Sequence, residues 1–345
     1  MTEEGSIASH LSVAMATTGM TQNTDGNMAT SSSPRGIDFY ISIAFLTIGV
    51  IGTAANALVL YALVASKQHK MQVLIVHQNA LDFFSSVFMT ITYTTRLCNI
   101  PLSGSVGYWL CTMILSDCLT WWGTVASAIN LASITLERYL KVIYPAWSQN
   151  RLRGWMIYSA MVIAWIISFI ANVAVVFLTT DVIDGVCYGY TIWKNQTARI
   201  FNFVWNFLSF YVIILFIFVF CYWRIVLVIR HQARVMASHA ASASAAAQNQ
   251  YQLHQIQSNV TKTMIFVSAC YAISWLPAYV YFLIVTLHRH PIPYSGIYHA
   301  ALLLAYLYMC INPFIYATKL DPVREVLLRL IPCKKTSDQA DRNAT

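Results

Sequence analysis

Glu137 and Arg138 stand side by side in "ASITLERYLKVIYP" (132–145), at the end of an apolar run whose only charge after Arg96 is Asp117. An arginine at the edge of a hydrophobic segment needs a counter-charge until a partner supplies other acceptors. The adjacent carboxylate can supply that counter-charge; the plain alternative is an interfacial arginine snorkelling to water. Asp82 lies inside another apolar run, where an ionisable group requires a partner or a hydrated cavity. Asn56, Ser127 and Asn312 fall at suitable depth in other runs, so a polar cluster is the economical arrangement. Asp82, Ser127 and Asn312 also offer the oxygen donors that a hard cation such as sodium favours. The alternative is a hydrogen-bonded packing cluster around a protonated Asp82. No paired aspartates on adjacent runs and no His pair occur: His77 and His299 are isolated, which argues against an intramembrane enzyme.

The elements that hold these groups follow from composition. Hydrophobic residues make up 58% of the 345, aromatics 14% and charged residues only 10%, too apolar for a soluble domain of this size. No Asp, Glu, Lys or Arg occurs from Phe39 to Ser66, Gly154 to Thr180, Ile200 to Trp223, Thr263 to His288 or His290 to Thr318. Met71 to Thr95 contains only Asp82, and Leu97 to Leu136 only Asp117. Each gap exceeds the roughly 20 residues of a membrane-crossing helix. The expected fold is all-α: a seven-transmembrane helix bundle spanning 37–320, after an extracellular tail at 1–36. An amphipathic membrane-surface helix at 321–332 and a cytoplasmic tail at 333–345 complete the chain. In that last helix Leu320, Val323, Leu327 and Leu330 keep helical spacing, with Arg324 and Arg329 elsewhere on its surface.

Basic residues set the orientation. Sixteen Lys and Arg fall on the side of the C-terminus and five on the other, which places the C-terminus in the cytoplasm and the N-terminus outside. The net charge of +8 is then topological and gives no argument for nucleic acid. Residues 1–36 lack an apolar core, so no cleavable signal peptide is expected. The eight cysteines have no metal-ligand spacing. Cys111 and Cys187 lie on the oxidising side, where a bridge between them is plausible and Cys98 is the competing partner. Asn195-Gln196-Thr197 is a glycosylation sequon on that side. Cys333, beside Lys334 and Lys335, is a candidate for S-palmitoylation.

On a helix of 100° per residue, Thr120, Ser127 and Arg138 form one stripe about 27 Å long. Pro277 in "SWLPAYVY" and Pro313 in "INPFIYATK" each remove a backbone hydrogen bond and kink their helices. Glu137-Arg138-Tyr139, Pro145, Trp275-Leu276-Pro277 and Asn312-Pro313-Phe314-Ile315-Tyr316 resemble the signature set of rhodopsin-like G-protein-coupled receptors. Asn56 with its neighbours, Leu81-Asp82 and Trp165 extend the resemblance over about 38–333. It implies that Glu137 holds Arg138 at rest and releases it to a heterotrimeric G protein when the sixth helix swings out. Trp275 would lie beneath the ligand, and Tyr222 and Tyr316 would line the opened cleft. No cofactor is implied beyond an allosteric sodium ion at Asp82.

The departures from that pattern narrow the ligand. Arg138 follows Cys111 by 27 residues where the family usually has 25. Counting from the arginine puts the ligand-facing position at Thr120, and counting from the cysteine puts it at Cys118. Neither is Asp117, which disfavours an amine ligand unless a local helix distortion turns that residue inward. Tyr306 occupies the place of the opsin lysine, so no retinal Schiff base is expected. Gln257 replaces an acid that would close a second clamp on Arg138, which implies basal signalling. The expected pocket is Thr120, Tyr279, Phe282, Leu302 and Tyr306, with Asp181 and Asp184 in the loop above. That aromatic floor and acidic rim suit a neutral or basic peptide, a lipid or small neutral ligand being the alternative. A transporter would show inverted repeats and intramembrane charges along a route, and neither is evident. The expected protein is a multi-pass plasma-membrane receptor embedded in lipid.

Overall fold

The computed structural model describes residues 35–67, 72–190, 192–239, 245–287 and 296–330. Its spans are α1 (Arg35–Ala65), α2 (Val73–Leu97), α4 (Cys118–Ile143), α6 (Gly154–Thr179), α8 (Ile213–His239), α9 (Ala245–Leu287) and α10 (Gly296–Lys319). Short helices α3 (Gly104–Leu110), α5 (Pro145–Arg151) and α7 (Gln196–Phe207) introduce or connect them, and α11 (Asp321–Leu330) ends the described chain. Five of the long helices are apolar and long enough to cross a membrane. The other two, α2 and α4, carry the buried polar groups Asp82 and Ser127.

Apolar residues face outward as well as inward: Phe216, Val219 and Ile273 are among the large exposed side chains. This inverted surface belongs to helices solvated by hydrocarbon, where polar groups must turn inward. α11 keeps Val323 fully buried beside Leu320 while Arg324 and Arg329 stay exposed. The helix tucks back toward the first span by its apolar stripe, as the leucine spacing requires.

The third span is broken where sequence periodicity suggests one continuous helix. A π-helical turn at Cys111–Leu115 is followed by Asp117 in the left-handed region, φ 58°. A π-turn inserts residues without advancing the helix, which accounts for the surplus between Cys111 and Arg138. The backbone groups freed at the break find side-chain partners, as buried peptide groups must. Thr92 Oγ1 donates to Ile114 O at 3.0 Å, Arg96 Nη2 donates to Leu115 O at 2.7 Å, and Cys118 N donates to Ser116 Oγ at 3.3 Å.

Between α6 and α7 a hairpin pairs β1 (Asp181–Ile183) with β2 (Val186–Tyr188), Val182 opposite Cys187. Asp184 (φ 52°) and Gly185 (φ 76°) form its two-residue turn; paired left-handed residues are what such a turn needs, and Asp-Gly supplies them cheaply. Cys111 and Cys187 are bridged, with Cα atoms 5.4 Å apart across a sequence separation of 76. Cys98 is free and exposed, which resolves the competition between the two partners. Alkylation of the native, unreduced protein is expected to modify Cys98 and to reach Cys111 and Cys187 only after reduction, as peptide mass spectrometry would show.

Candidate functional site

Three constellations lie along the bundle: a buried polar chain at its centre, the Glu137–Arg138 pair at one end and a cavity at the disulfide end. Asp82 is fully buried. Its Oδ1 accepts from Ser127 Oγ at 2.7 Å and its Oδ2 from Asn312 Nδ2 at 2.8 Å. Three spans thereby meet on one carboxylate. The chain continues outward from it. Gln78 Nε2 donates to Ser127 Oγ, Asn130 Nδ2 donates to Gln78 Oε1 at 2.8 Å and to Leu74 O at 3.0 Å, and His77 Nδ1 is 2.9 Å from Asn130 Oδ1. Trp165 Nε1 donates to His77 Nε2 at 3.0 Å. Because that nitrogen accepts, the imidazole carries its proton on Nδ1 and donates to Asn130. His77 is therefore a linker in this chain and is not isolated. Gln78 and Asn130 were not singled out by sequence; the signal was their spacing, one position from His77 and three from Ser127.

Asn56 Nδ2 donates to Gly52 O and to Met309 O, at 2.9 and 3.1 Å, tying α1 to α10. The opposing acceptors Asn56 Oδ1 and Asn312 Oδ1 are buried without a partner, as are the hydroxyls of Tyr308 and Tyr316 and the indole nitrogen of Trp275. Glycines let these helices close. A Cβ on Gly52 would stand 2.5 Å from Ser86 Oγ, and one on Gly123 would strike Ser85 and lie 2.7 Å from Phe84.

At the other end, Glu137 Oε2 lies 3.6 Å from Arg138 Nη2, while its Oε1 is 2.5 Å from Lys141 Nζ. The carboxylate is shared, and the lysine one turn later has the closer contact. Arg138 is 9% exposed and its Nε has no partner. Tyr139 stands against Tyr144 and Phe220. Tyr222 Oη is 2.9 Å from Thr135 Oγ1 and 3.0 Å from Ser268 Oγ. The side chain of Gln257, and Cys333 as a whole, lie outside the described residues. Asn195 is exposed and caps α7, its Oδ1 accepting from Ala198 N at 2.7 Å.

The cavity at the disulfide end holds about 570 Å³ and is lined by Trp275, Tyr279, Phe282, Phe203, Trp121 and Tyr298 among its aromatics, within the size range of ligand pockets. Tyr279 and Phe282 line it as expected from sequence. Thr120, Leu302 and Tyr306 do not: each is buried in helix packing. The break at Asp117 is the reason. Asp117, Trp121 and Val125 follow at intervals of four and face the cavity, so Thr120 is turned away from it. Tyr306 lies a layer behind, its ring 5.9 Å from Trp121 and 5.7 Å from Phe45.

Asp117 thus does turn inward, but it arrives paired. Arg96 Nη2 donates to Asp117 Oδ2 at 2.7 Å, and the same guanidinium lies 4.7 Å above the Tyr93 ring. The acidic rim expected from Asp181 and Asp184 is absent from the lining. Burial foremost, then Cys118 and Asp117, push the Tyr190 phenol well above its ordinary value, so it stays a neutral donor at the cavity wall.

A family model described as 7 transmembrane receptor (rhodopsin family) matches residues 55–316. The chain belongs to the rhodopsin family of seven-transmembrane receptors, a family of multi-pass membrane receptors and not of enzymes. It is 26% identical over 307 residues to galanin receptor 2b of Danio rerio, covering 85% of this chain and 75% of that protein. Melanopsin-B of Gadus morhua is 26% identical over 314 residues, 86% of this chain and 48% of the relative, so the chain spans about half that protein's length. Neuropeptide Y receptor type 4 of Mus musculus is 24% identical, over 77% of this chain and 72% of that one. The fold is similar to squid rhodopsin, with a TM-score of 0.71 at 17% identity, covering 92% of this chain and 94% of that one.

Replacing Asn130 by Ala would orphan the His77 Nδ1–H and Gln78 Oε1 together. At roughly 1–3 kcal/mol for each buried group left unmade, Asn130→Ala is expected to melt well below wild type. Ser133→Ala, which removes only a bond to its own helix at Ile129 O, is expected to melt within a few degrees of it.

Proposed function

We propose that the chain is a plasma-membrane receptor, with its disulfide end outside, that binds an extracellular ligand in the cavity and activates a heterotrimeric G protein at the Arg138 end. A peptide is the favoured ligand. Similar proteins carry the names of galanin, neuropeptide Y and melanin-concentrating hormone receptors, and the wide aromatic cavity accommodates a peptide end. An exposed Asn195 available to a glycan suits the same orientation.

The observation that carries this reading is that one helix with a proline inside it reaches from the cavity to the Tyr222 cluster. In α9, Trp275 lines the cavity, Pro277 interrupts the backbone ladder just beyond it, and Ser268 binds Tyr222 two turns away. Tyr271 lies between them, its ring 6.3 Å from Trp275 and 6.0 Å from Phe218. Movement at the cavity floor is therefore felt by the hydroxyl cluster of Thr135, Tyr222 and Ser268. A ligand that prefers the arrangement with α9 displaced shifts the population toward it. Arg138 then exchanges Glu137 for acceptors on the G protein, and Tyr316, whose buried hydroxyl has no partner, gains one by rotating toward Tyr222. Asn312 and Pro313 give the seventh span its own hinge.

Sodium fits the central cluster by donor chemistry. Asp82 and Ser127 supply hard oxygens, and Asn312 Oδ1 is an orphaned buried acceptor beside them, the set an oxygen-seeking cation takes. We place it there as an allosteric ion of the resting arrangement, where Asp82 would hold its charge.

Guanine-nucleotide exchange on a purified heterotrimer tests the assignment: the wild type is expected to accelerate it, and Arg138→Ala to lose most of that while reaching the surface normally. Because Lys141 competes for Glu137, basal exchange is expected without agonist. Lys141→Ala, which returns the carboxylate to Arg138, is expected to lower it, and Glu137→Gln to raise it. Replacing potassium by sodium is expected to depress basal exchange in the wild type and not in Asp82→Asn; equal depression in both would remove the ion from the scheme.

A further inference from the structure

The charges that line the cavity are Arg96, Asp117 and Arg199 among the described residues. Arg96 and Asp117 cancel each other at 2.7 Å. Arg199 has no such partner: it makes no ion pair or side-chain hydrogen bond, and its Nε and Nη2 are both covered by neighbouring atoms. The residue is half-buried, and the two nitrogens covered without an acceptor are held at a cost in stability. A bundle able to neutralise one cavity arginine with an aspartate, as it does at Arg96, leaves the second open toward the cavity.

The surroundings of Arg199 make it a receptor for a group and not a surface charge. It lies in the first turn of α7, and Asn202, Phe203 and Asn206 follow at three, four and seven residues, all lining the same cavity. Asn206 Nδ2 donates to Asn202 O and Oδ1, at 2.9 and 3.2 Å, which stiffens this stripe. The Tyr190 hydroxyl, in the same lining, is buried and unpartnered, a second donor with no acceptor. Trp275, Tyr279 and Phe282 close the floor with apolar surface. A planar fork of N–H donors is matched best by a carboxylate, which accepts two of them in parallel.

Resting on the receptor reading above, we propose that the ligand bears a carboxylate attached to an apolar or aromatic body, and that Arg199 receives that carboxylate. A basic ligand would instead place a cation against an unneutralised guanidinium. The shared chemistry comes from two sources, a peptide's free C-terminus or acidic side chain and a non-peptide organic acid.

Two pairs of probes separate them on the purified full chain: N-acetyl-Leu-Phe against its C-terminal amide, and 4-phenylbutyrate against 4-phenylbutyramide. Quenching of tryptophan fluorescence reads binding, since Trp121, Trp193 and Trp275 line the cavity. At least one acid is expected to bind roughly tenfold or more tightly than its amide, the ratio of a charge-assisted to a neutral contact. Preference confined to the first pair identifies a peptide carboxylate, and confined to the second a non-peptide acid. Arg199→Gln is expected to bring the ratio to about one, and Arg199→Lys to keep part of it. Arg199→Leu is expected to melt at or above wild type without probe, because it removes an unpaired covered charge. Equal binding of acid and amide in both pairs, no acid binding at millimolar concentration, an acid preference that survives Arg199→Gln, or a clear fall in melting temperature for Arg199→Leu would each overturn the proposal. Nucleotide exchange by the wild type and its loss in Arg138→Ala read the receptor assignment separately, so either can fail alone.

Discussion

Asp82 has no exposed surface, and each of its oxygens is bound by a different helix: Ser127 from the third span, Asn312 from the seventh. A carboxylate in hydrocarbon cannot be left to solvent, so its partners must come from neighbouring spans. That requirement brings α2, α4 and α10 together at mid-depth. Through Gln78, Asn130 and His77 it extends to Trp165 and so to the fourth span. Hydrophobic burial alone does not choose between rotations of a helix surrounded by lipid, since every face is apolar. Hydrogen bonds between spans do choose, and this chain chooses for the second, third, fourth and seventh spans.

The two ends are less tightly satisfied than the centre. Arg138 has a shared counter-ion and an unpartnered Nε, and Arg199 has its Nε and Nη2 unpartnered. Trp275 and Tyr316 keep buried polar atoms without acceptors or donors. Buried polar groups are ordinarily satisfied, so such exceptions mark where the structure trades stability for the capacity to bind or rearrange. On the proposed function, ligand exchange falls at one end and partner exchange at the other, around a centre whose polar groups are bonded across spans.

In the third span a covalent link stands at one side of a helix break and a buried carboxylate contact at the other. Cys111 is tied to the hairpin at Cys187, while Ser127 is tied to Asp82. The residues between exceed what a regular helix needs, and the π-turn with Asp117 in the left-handed region takes up the difference. Arg96 and Thr92 from the second span bind the carbonyls released at the break. The distortion is what turns Asp117 into the cavity and Thr120 out of it.

Seven spans, the mid-depth position of Asp82 with its partners Ser127 and Asn312, the acid beside Arg138, and prolines inside the sixth and seventh spans were all legible in the sequence. Each depends on short-range signals: hydropathy over a membrane's thickness, proline's missing N–H, and the need of an isolated charge for company. The Asp184-Gly185 turn is equally local, yet the sequence marked Asp184 only as an acidic rim residue. Which residues face the cavity was not legible. Thr120, Leu302 and Tyr306 were expected there, yet Asp117, Trp121, Arg199 and Tyr298 line it instead. Helical periodicity assumes an unbroken helix, and the break lies where a bridge and an ion pair join segments remote in sequence. For the same reason sequence could not tell Arg96 from Arg199. Both are arginines at the end of an apolar run, and only the packed bundle gives one an aspartate and leaves the other without.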